Sequence, residues 1–429
     1  MSGRMKILML ASVASMIDQF NMSNIRLLLE MGYEVHVACN YKEGNTCDAD
    51  RIRGLRKRLH SMRVVQHQWD CPRSVYAIGK CGRAFGQLWR LTGEEQFAWI
   101  HCHSPVGGAL ARLVGHLRGS RVMYTVHGFH FYQGAPLWNW LLYYPVEKML
   151  SYWTDVLITV NQEDYRLAKR RMHAGKVYRI PGVGIDISRF QRDAGIEAGC
   201  FERDAFRAAC GIPADAVVLL SVGELSRRKN HQAVIAALAK LSGQDVYYLI
   251  CGQGACWDRL MRTAERYGVA HRVRLAGFLE AVEQAYRSCD IFVFPSLQEG
   301  FPAALMEAMA AGMPCVVSAI RGNRELICKK GGRKFPVTGR SSVRTILTGN
   351  AVKGDSGTGL YQRKRSQSLL RRYLEELVAD PALRQACGCY NQEKVRAYDI
   401  TVVEGYMKQI YKEAFGKHGC RMPKRTAKI

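Results

Sequence analysis

Short apolar runs rich in β-branched residues alternate with helical segments along the chain, and this alternation constrains the fold most strongly. Apolar strands separated by helices are typical of a parallel sheet covered on both faces. The first series of candidate strands comprises Lys6–Leu10, Tyr33–Cys39, Val64–His67, Trp99–His101, Val122–Val126, Val156–Val160 and Val177–Ile180. The second comprises Val217–Val222, Tyr247–Cys251, Val273–Leu275, Ile291–Phe294 and Pro314–Ser318. The sequence predicts an α/β protein with two doubly wound parallel sheets facing a central cleft.

The length of the chain favours two domains, because 429 residues exceed one ordinary compact domain. We predict a Rossmann-like domain over residues 1–186 and a second one over residues 216–398. Residues 187–215 are polar and irregular, which indicates an inter-domain linker. A C-terminal helix over residues 399–415 is expected to return to the N-terminal domain, and residues 416–429 form a basic tail.

The chain is strongly basic, with a formal net charge of +25. Such a charge favours anionic partners: nucleic acid, acidic lipid headgroups or phosphorylated small molecules. Twelve Lys and Arg residues lie in the irregular segment 329–372, where Asp355 is the one acidic residue. A nucleic-acid-binding protein would explain the charge, but no nucleic-acid-binding motif accompanies it, and no nucleic-acid partner is expected.

Cysteine usage and the N-terminus bear on localisation. The 15 cysteines are scattered and form no CxxC pair, which indicates a reducing compartment such as the cytoplasm. The apolar run Ile7–Ala14 could imitate a signal peptide, but the helix and strand that follow it favour a buried first strand. No run reaches the roughly 18 apolar residues that a spanning helix needs.

The segment Phe294–Gly312 carries the strongest functional signal. A strand ends at Pro295, and a helix with Pro302 in its first turn continues to Gly312. Backbone N–H groups near Gly300, Phe301 and Pro302 are therefore predicted to donate to an anion or a sugar hydroxyl.

Two glutamates flank this turn. Glu299 stands at its mouth, and Glu307 is the charged residue of an otherwise apolar helix. A buried carboxylate requires hydrogen-bond donors, and a ribose diol supplies two. In the alternative interpretation, Glu299 is a helix-terminus charge and Glu307 faces solvent.

This segment and Arg321–Ile327 resemble the donor half of family 4 glycosyltransferases of the GT-B fold. Ser221–His231 resembles the Gly-Arg-Leu-Ser-x-x-Lys loop of that family, and Lys229 falls on the family's lysine. The resemblance implies that this loop holds the donor diphosphate. Glu224 replaces the family's arginine, so Arg227 or Arg228 is expected to supply the charge.

Histidines follow two strands of the N-terminal half. The motifs at His101–Gly108 and Tyr124–Tyr132 look like those of family members that assemble bacterial exopolysaccharide and capsule. His127 matches the histidine that points at the transferred sugar, so the resemblance assigns catalytic roles to Glu299 and His127. His101 is interpreted as structural, and the roles of His103 and His130 stay open.

The resemblance implies a retaining hexosyltransferase with a nucleotide-sugar donor bound by the C-terminal domain. It implies an acceptor in the N-terminal domain that is lipid-linked through a polyprenyl diphosphate, as in exopolysaccharide, capsule or lipopolysaccharide synthesis. No cofactor and no metal are expected, because the one Asp-x-Asp motif, Asp48–Asp50, has the position of a helix cap. Charge and the aromatic residues of 138–153 favour peripheral attachment to an anionic membrane surface at the inner face of the cytoplasmic membrane.

Two other enzyme classes share the architecture. An NAD-dependent oxidoreductase needs a G-x-G-x-x-G motif at its first strand–helix turn, and Ala11–Ser15 contains no glycine. A nucleotide-sugar epimerase of the same two-domain fold stays open as an alternative.

Overall fold

The structure is a computed structural model that describes residues 4–45, 47–191, 196–241, 245–337 and 356–416, with the backbone alone at 196–201 and 356–363. The described chain divides into two compact units. The first contains the described residues up to Tyr132, Leu137–Val183 and those from Val403 onwards. The second contains Gln133–Pro136 and Gly184–Val402.

The first unit is built on a seven-stranded parallel sheet with the order β3-β2-β1-β4-β5-β6-β7. The strands β1 to β7 are Lys6–Val13, Glu34–Asn40, Val65–Gln68, Trp99–His103, Arg121–Val126, Val156–Thr159 and Lys176–Arg179. Helices α1 to α7 are Ala14–Phe20, Met22–Glu30, Ala49–Ser61, Ile78–Glu95, Pro105–Arg118, Leu137–Ser151 and Gln162–Arg171.

The second unit is built on a six-stranded parallel sheet with the order β10-β9-β8-β11-β12-β13. The strands β8 to β13 are Val217–Val222, Val246–Cys251, Val273–Gly277, Ile291–Phe294, Cys315–Ser318 and Gly332–Phe335. Helices α8 to α15 are Ile196–Ala209, Gln232–Leu238, Trp257–Arg266, Val282–Ser288, Ala303–Ala310, Arg321–Leu326, Ser356–Ala379 and Pro381–Val395. Short 3-10 turns occupy Ile187–Arg189, Ala270–Arg272 and Arg396–Tyr398.

The last described helix, α16 at Ile400–Gly416, packs on the first sheet from Val403 onwards. The Phe415 ring lies 5.0 Å from Trp99 and 5.2 Å from Tyr33, centroid to centroid. The Tyr411 hydroxyl lies 2.8 Å from Nδ1 of His101. The described part of α16 therefore covers the apolar surface of the first sheet beside β4. The predicted basic tail 416–429 lies outside the described residues except for Gly416.

In each sheet the strand order reverses once, between β1 and β4 in the first unit and between β8 and β11 in the second. Ligands of open α/β sheets bind at the carboxyl ends of the strands beside such a reversal. The core strands of both sheets are buried, as parallel strands covered by helices must be. The predicted fold class, α/β with two doubly wound parallel sheets, is confirmed.

One local prediction is wrong, and a second segment contains elements that the sequence did not predict. The segment 187–215, expected to be irregular, contains α8. The reason is that α8 packs through a charged side chain, which the apolar pattern of the sequence does not mark: Arg207 is 1% exposed. The irregular segment 329–372 contains β13, which pairs with β12, and the start of α14. Residues 338–355 of that segment lie outside the described residues.

Arg207 joins α8 to the second sheet. Its guanidinium donates to the carbonyl oxygens of Ser288, Ala214 and Ala216 at 2.7–2.9 Å. It also pairs with the Asp290 carboxylate at 2.8 Å. Burying a cation is costly unless every donor is satisfied, and these acceptors meet that condition.

We predict that Arg207→Met lowers the free energy of unfolding of the second unit by about 3 kcal/mol, because three carbonyls and Asp290 lose their donor. Arg203→Met is the matched control, since Arg203 reaches Asp290 at 3.9 Å with a side chain that is 38% exposed. Urea unfolding followed by circular dichroism measures both variants. Equal midpoints for Arg207→Met and Arg203→Met would contradict this account of α8.

Candidate active site

Two loops of the second unit meet at the carboxyl ends of β8 and β11. The Leu297 amide donates to the Arg228 carbonyl at 2.8 Å, and the Arg228 guanidinium donates to the Gln298 carbonyl at 2.8 Å. Asn230, whose φ is +57°, donates from its side chain to the Pro295 carbonyl at 3.3 Å. These bonds hold the loop after β8 against the loop that leads into α12.

The contact between the loops centres on one carboxylate. Oε1 of Glu299 accepts from Nζ of Lys229 and from Nη1 of Arg228, both at 2.9 Å. The Lys229 and Glu299 side chains are each 11% exposed, whereas that of Arg228 is 42% exposed. The Lys229 ammonium also lies 4.7 Å above the centre of the Phe294 ring. We call Arg228, Lys229 and Glu299 the ion cluster.

Two glycines give these groups room. Gly223 has a φ of +148°, and a Cβ there would lie 3.3 Å from Nζ of Lys229. Gly322, the second residue of α13, lies so close to the turn that a Cβ would be 2.5 Å from the Gly300 carbonyl oxygen. Larger residues at either position would displace the lysine or the turn.

The turn before α12 presents backbone rather than side chains. Phe301 and Pro302 are buried, and the Phe301 ring packs 5.5 Å from that of Tyr398. Pro302 is the N-cap residue, one position earlier than the first turn predicted for it, and α12 begins at Ala303. Gly300, Phe301 and Pro302 can therefore contact a ligand mainly through the main chain.

Glu307 lies half-buried on α12 and accepts a hydrogen bond from the Tyr286 hydroxyl to Oε2 at 2.7 Å. Burial raises the pKa of its carboxyl above the ordinary value, although the Tyr286 hydrogen bond and the charge of Arg189 act in the opposite direction. Oε1 of Glu307 has no hydrogen-bond partner among the residues that the structure describes, so this oxygen can accept from a ligand.

The first unit holds three histidines at the ends of β4 and β5. Nε2 of His127 lies 3.1 Å from Nδ1 of His103. His101 is satisfied at both ring nitrogens, by Tyr411 and Thr125, each at 2.8 Å. This contact set agrees with the structural role predicted for His101. His130, in contrast, stacks its ring on Tyr143 at 4.6 Å.

Burial keeps this histidine group neutral at physiological pH. Burial lowers the pKa of His127 to about 4, and burial together with the charge of His127 lowers that of His101 to about 3. The pKa of His103 is also lowered, mainly by burial. A neutral imidazole both donates and accepts one hydrogen bond, so His127 is suited to contact a sugar hydroxyl.

The structure thus brings Arg228, Lys229 and Glu299 together in the second unit. Arg227 is exposed and makes no hydrogen bond or ion pair with a described residue. Sequence analysis missed Tyr286, which bonds Glu307, and Arg321, whose Nε donates to the Glu299 carbonyl at 3.3 Å. Arg321 stands in a segment that carries the family resemblance, whereas no sequence signal marks Tyr286.

Among the described residues, no three His, Cys, Asp or Glu side chains are grouped so that they could hold a metal ion. None of the helices described is long and apolar enough to cross a membrane.

Both halves of the chain match known glycosyltransferase families. Residues 22–189 match the family described as Glycosyltransferase Family 4, and residues 202–342 match the family described as Glycosyl transferases group 1. The glycosyltransferase EpsD of Bacillus subtilis is 34% identical over 330 residues, which cover 75% of this chain and 81% of EpsD. An Escherichia coli protein named UDP-Gal:alpha-D-GlcNAc-diphosphoundecaprenol alpha-1,3-galactosyltransferase is 30% identical over 56% of this chain and 62% of its own length.

Solved structures agree in fold. HepE of Anabaena, solved in complex with UDP and glucose, superposes with a TM-score of 0.71 at 16% identity, over 95% of this chain and all (100%) of HepE. WaaG, a glycosyltransferase involved in lipopolysaccharide biosynthesis, superposes with a TM-score of 0.65 at 16% identity, over 95% of this chain and 99% of WaaG. The family matches and the two parallel Rossmann-like sheets together show that the chain is a glycosyltransferase of family 4 with the GT-B fold.

Proposed function

We propose that this enzyme transfers a hexose, with retention at the anomeric carbon, from a nucleotide diphosphate sugar to a polyprenyl-diphosphate-linked saccharide. The product would belong to exopolysaccharide, capsule or lipopolysaccharide synthesis at the cytoplasmic face of the membrane. The ion cluster is the observation that carries this proposal, because it holds a nearly buried lysine beside the turn that leads into α12. The UDP bound by HepE and the donor and acceptor in the Escherichia coli relative's name support the ligand classes.

The donor would bind along the ion cluster and α12. Lys229 and Arg228 would hold the diphosphate, because both are cations close to the carboxyl end of β8. The exposed side chain of Arg227 would approach the phosphates from solvent. Oε1 of Glu307 would accept from a ribose hydroxyl, while Tyr286 keeps the carboxylate in place.

The sugar would lie against Gly300–Pro302, where the amides of Gly300 and Phe301 would donate to its hydroxyls. His127 would contact the transferred sugar, as the family resemblance implies. In the transfer, the bond from the anomeric carbon to the phosphate oxygen breaks, and the acceptor oxygen attacks from the same face. The departing phosphate takes the acceptor proton, and Lys229 stabilises the charge that develops on that phosphate.

Glu299 would have two roles. One oxygen, Oε1, would orient Lys229 and Arg228, which it contacts at 2.9 Å. The negative charge would also stabilise the positive charge that develops on the sugar ring during transfer. The proposal requires no metal and no cofactor, since Lys229, Arg228 and the backbone amides supply the positive field.

We also propose that the enzyme acts at a membrane surface. Large apolar side chains are exposed along helix α6, at Trp138, Leu141, Leu142, Val146 and Met149, and directly after its end, at Tyr152. The Tyr76 side chain hydrogen-bonds to Tyr143 of α6, and beside it Val75 and Ile78 are also exposed. We call these nine exposed side chains (including Tyr76) the apolar face. Its aromatic rings suit the headgroup level, and the basic chain favours anionic lipid.

The donor class is tested by thermal unfolding with a panel of nucleotide sugars and nucleoside diphosphates, since a bound ligand raises the unfolding temperature by mass action. We predict that one nucleotide stabilises the protein. Glu307→Ala should weaken the binding of its nucleotide sugar and of the free nucleoside diphosphate alike, about tenfold, because both lose the ribose contact. Glu283→Ala, on the neighbouring helix α11, is the control. Unchanged nucleotide affinity in Glu307→Ala by calorimetry would contradict the ribose assignment.

For Glu299→Gln we predict turnover at least about tenfold lower, a loss of roughly 1.4 kcal/mol of transition-state stabilisation. Affinity for the nucleoside diphosphate should hold or rise, because removing a negative charge beside Lys229 cannot weaken its attraction for phosphate. Glu224→Gln is the matched control: Glu224 also approaches Arg228, at 3.7 Å, but its side chain is 61% exposed. Equal turnover in both variants, as measured by product formation, would make Glu299 a structural residue only.

Attachment to membranes is tested by vesicle sedimentation with and without anionic lipid, at low and high salt. We predict binding to anionic vesicles at low salt, weakened by salt because the attraction is screened over about 10 Å. Trp138→Ser should weaken it further, whereas Trp257→Ser, at an exposed tryptophan of the second unit, should not. Equal recovery in the supernatant under all four conditions would rule out this surface and favour a soluble acceptor.

A further inference from the structure

A cavity of about 630 Å³ opens in the first unit, away from the histidines. It lies at the carboxyl ends of β2 and β3, beside the first turns of α3. The side chains that matter for its chemistry are Tyr41, Lys42, Arg53, Arg56, Gln66 and Gln68. The ion cluster belongs to the other unit, so this cavity is a separate feature of the protein.

Positive charge is concentrated on its walls. Lys42, Arg53 and Arg56 line the cavity, and no acidic side chain stands among its described lining residues. Arg53 pairs with Asp50, but neither Lys42 nor Arg56 forms an ion pair with any residue that the structure describes. The Arg56 guanidinium lies 5.3 Å from the centre of the Tyr41 ring, which keeps it at the cavity wall.

Other cations of helix α3, which carries Arg53 and Arg56, are paired within the protein. Arg51 and Arg58 of α3 both bind the carboxylate of Asp18, which is 4% exposed. Their charges are therefore compensated within the protein. Lys42 and Arg56 keep an uncompensated charge towards the cavity, and guanidinium and ammonium groups in such a position favour phosphate oxygens.

A second observation adds a hydroxyl to the expected ligand. Nε2 of Gln66 donates to the Arg56 carbonyl at 3.0 Å. Oε1 of Gln66 is buried and accepts no hydrogen bond from a described residue. A buried carbonyl oxygen without a donor costs free energy, and an O–H group in the cavity would satisfy it. Cations for phosphate and an acceptor for a hydroxyl together indicate a phosphorylated saccharide.

The cavity also adjoins the apolar face. Arg73 donates to the carbonyl of Gly44, a lining residue, at 3.2 Å. Lys80 pairs with Glu43, next in the chain, at 2.7 Å. Arg73 and Lys80 flank the segment that carries the exposed Val75, Tyr76 and Ile78. A ligand with its phosphates in the cavity could therefore lay an apolar chain on the apolar face.

We propose that this cavity holds the diphosphate and first sugar of the polyprenyl-diphosphate-linked acceptor. Lys42, Arg53 and Arg56 bind the phosphate oxygens, and Gln66 accepts from a sugar hydroxyl. The inference rests on the proposed function, because that function supplies the lipid-linked acceptor. Its test uses binding alone, without donor or turnover, so its failure is distinguishable from failure of the transfer reaction.

The experiment is calorimetric titration of the full chain with geranyl diphosphate, a soluble lipid diphosphate. Arg56→Gln and Lys42→Gln should each weaken binding about tenfold, since each removes a charged hydrogen bond. Lys57→Gln is the matched control, because Lys57 is the exposed neighbour on α3 and does not line the cavity. Unfolding temperatures of the variants check that each is folded.

Vesicles of phosphatidylglycerol provide the second arm. Arg56→Gln and Lys57→Gln should weaken vesicle binding equally, because attraction to headgroups depends on charge near the surface rather than on the cavity. If Arg56→Gln selectively weakened vesicle binding and left geranyl diphosphate binding intact, the cavity would hold a lipid headgroup, and the acceptor assignment would fall. If Arg56→Gln and Lys42→Gln both bound geranyl diphosphate as tightly as the control Lys57→Gln does, the proposed site would be wrong.

Discussion

The parallel pairing of β8 with β11 is the constraint on which the candidate active site depends. Ile291 and Phe292 lie opposite Leu219 and Leu220 in register, so the loops that follow both strands open at the same edge of the sheet. The Leu297 amide can then reach the Arg228 carbonyl, and the Lys229 ammonium can reach Glu299. A shift of one residue in this register would turn the inward side chains outward and separate the ion cluster.

The electrostatics of the two units differ. In the second unit, a nearly buried lysine shares one carboxylate with Arg228, which leaves the exposed Arg227 unpaired among the described residues and able to increase the field for an anion. In the first unit, burial lowers the pKa values of the histidine group, so His127 is a polar, uncharged side chain there. The net charge of +25 thus matters at particular surfaces, where it is uncompensated, and not in the buried parts.

The sheet architecture was predictable from the sequence because the core strands carry apolar runs, as at Ile7–Leu10 and Ile291–Phe294. The roles of α8 and β13 were not, because α8 packs through the polar contacts of Arg207 and β13 reads as Gly-Arg-Lys-Phe. The Glu299–Lys229 contact joins residues 70 positions apart, so motif spacing could name both residues but not their distance.

The segment 138–153 shows the same limit of prediction from sequence. It carries six aromatic residues, and only the structure shows that Trp140, Tyr143 and Tyr144 point inward with helical periodicity and leave Trp138 exposed.

The central claim is acceptor-dependent transfer with retention. The most direct measurement is proton NMR of the reaction with a stabilising nucleotide sugar and a polyprenyl-diphosphate-linked saccharide, which follows released nucleotide and the anomeric coupling of the new linkage. The account predicts release of nucleoside diphosphate only when the acceptor is present, and a product with the anomeric configuration of the donor. Conversion of the nucleotide sugar without acceptor, as an epimerase would give, or an inverted linkage in the product, would contradict it.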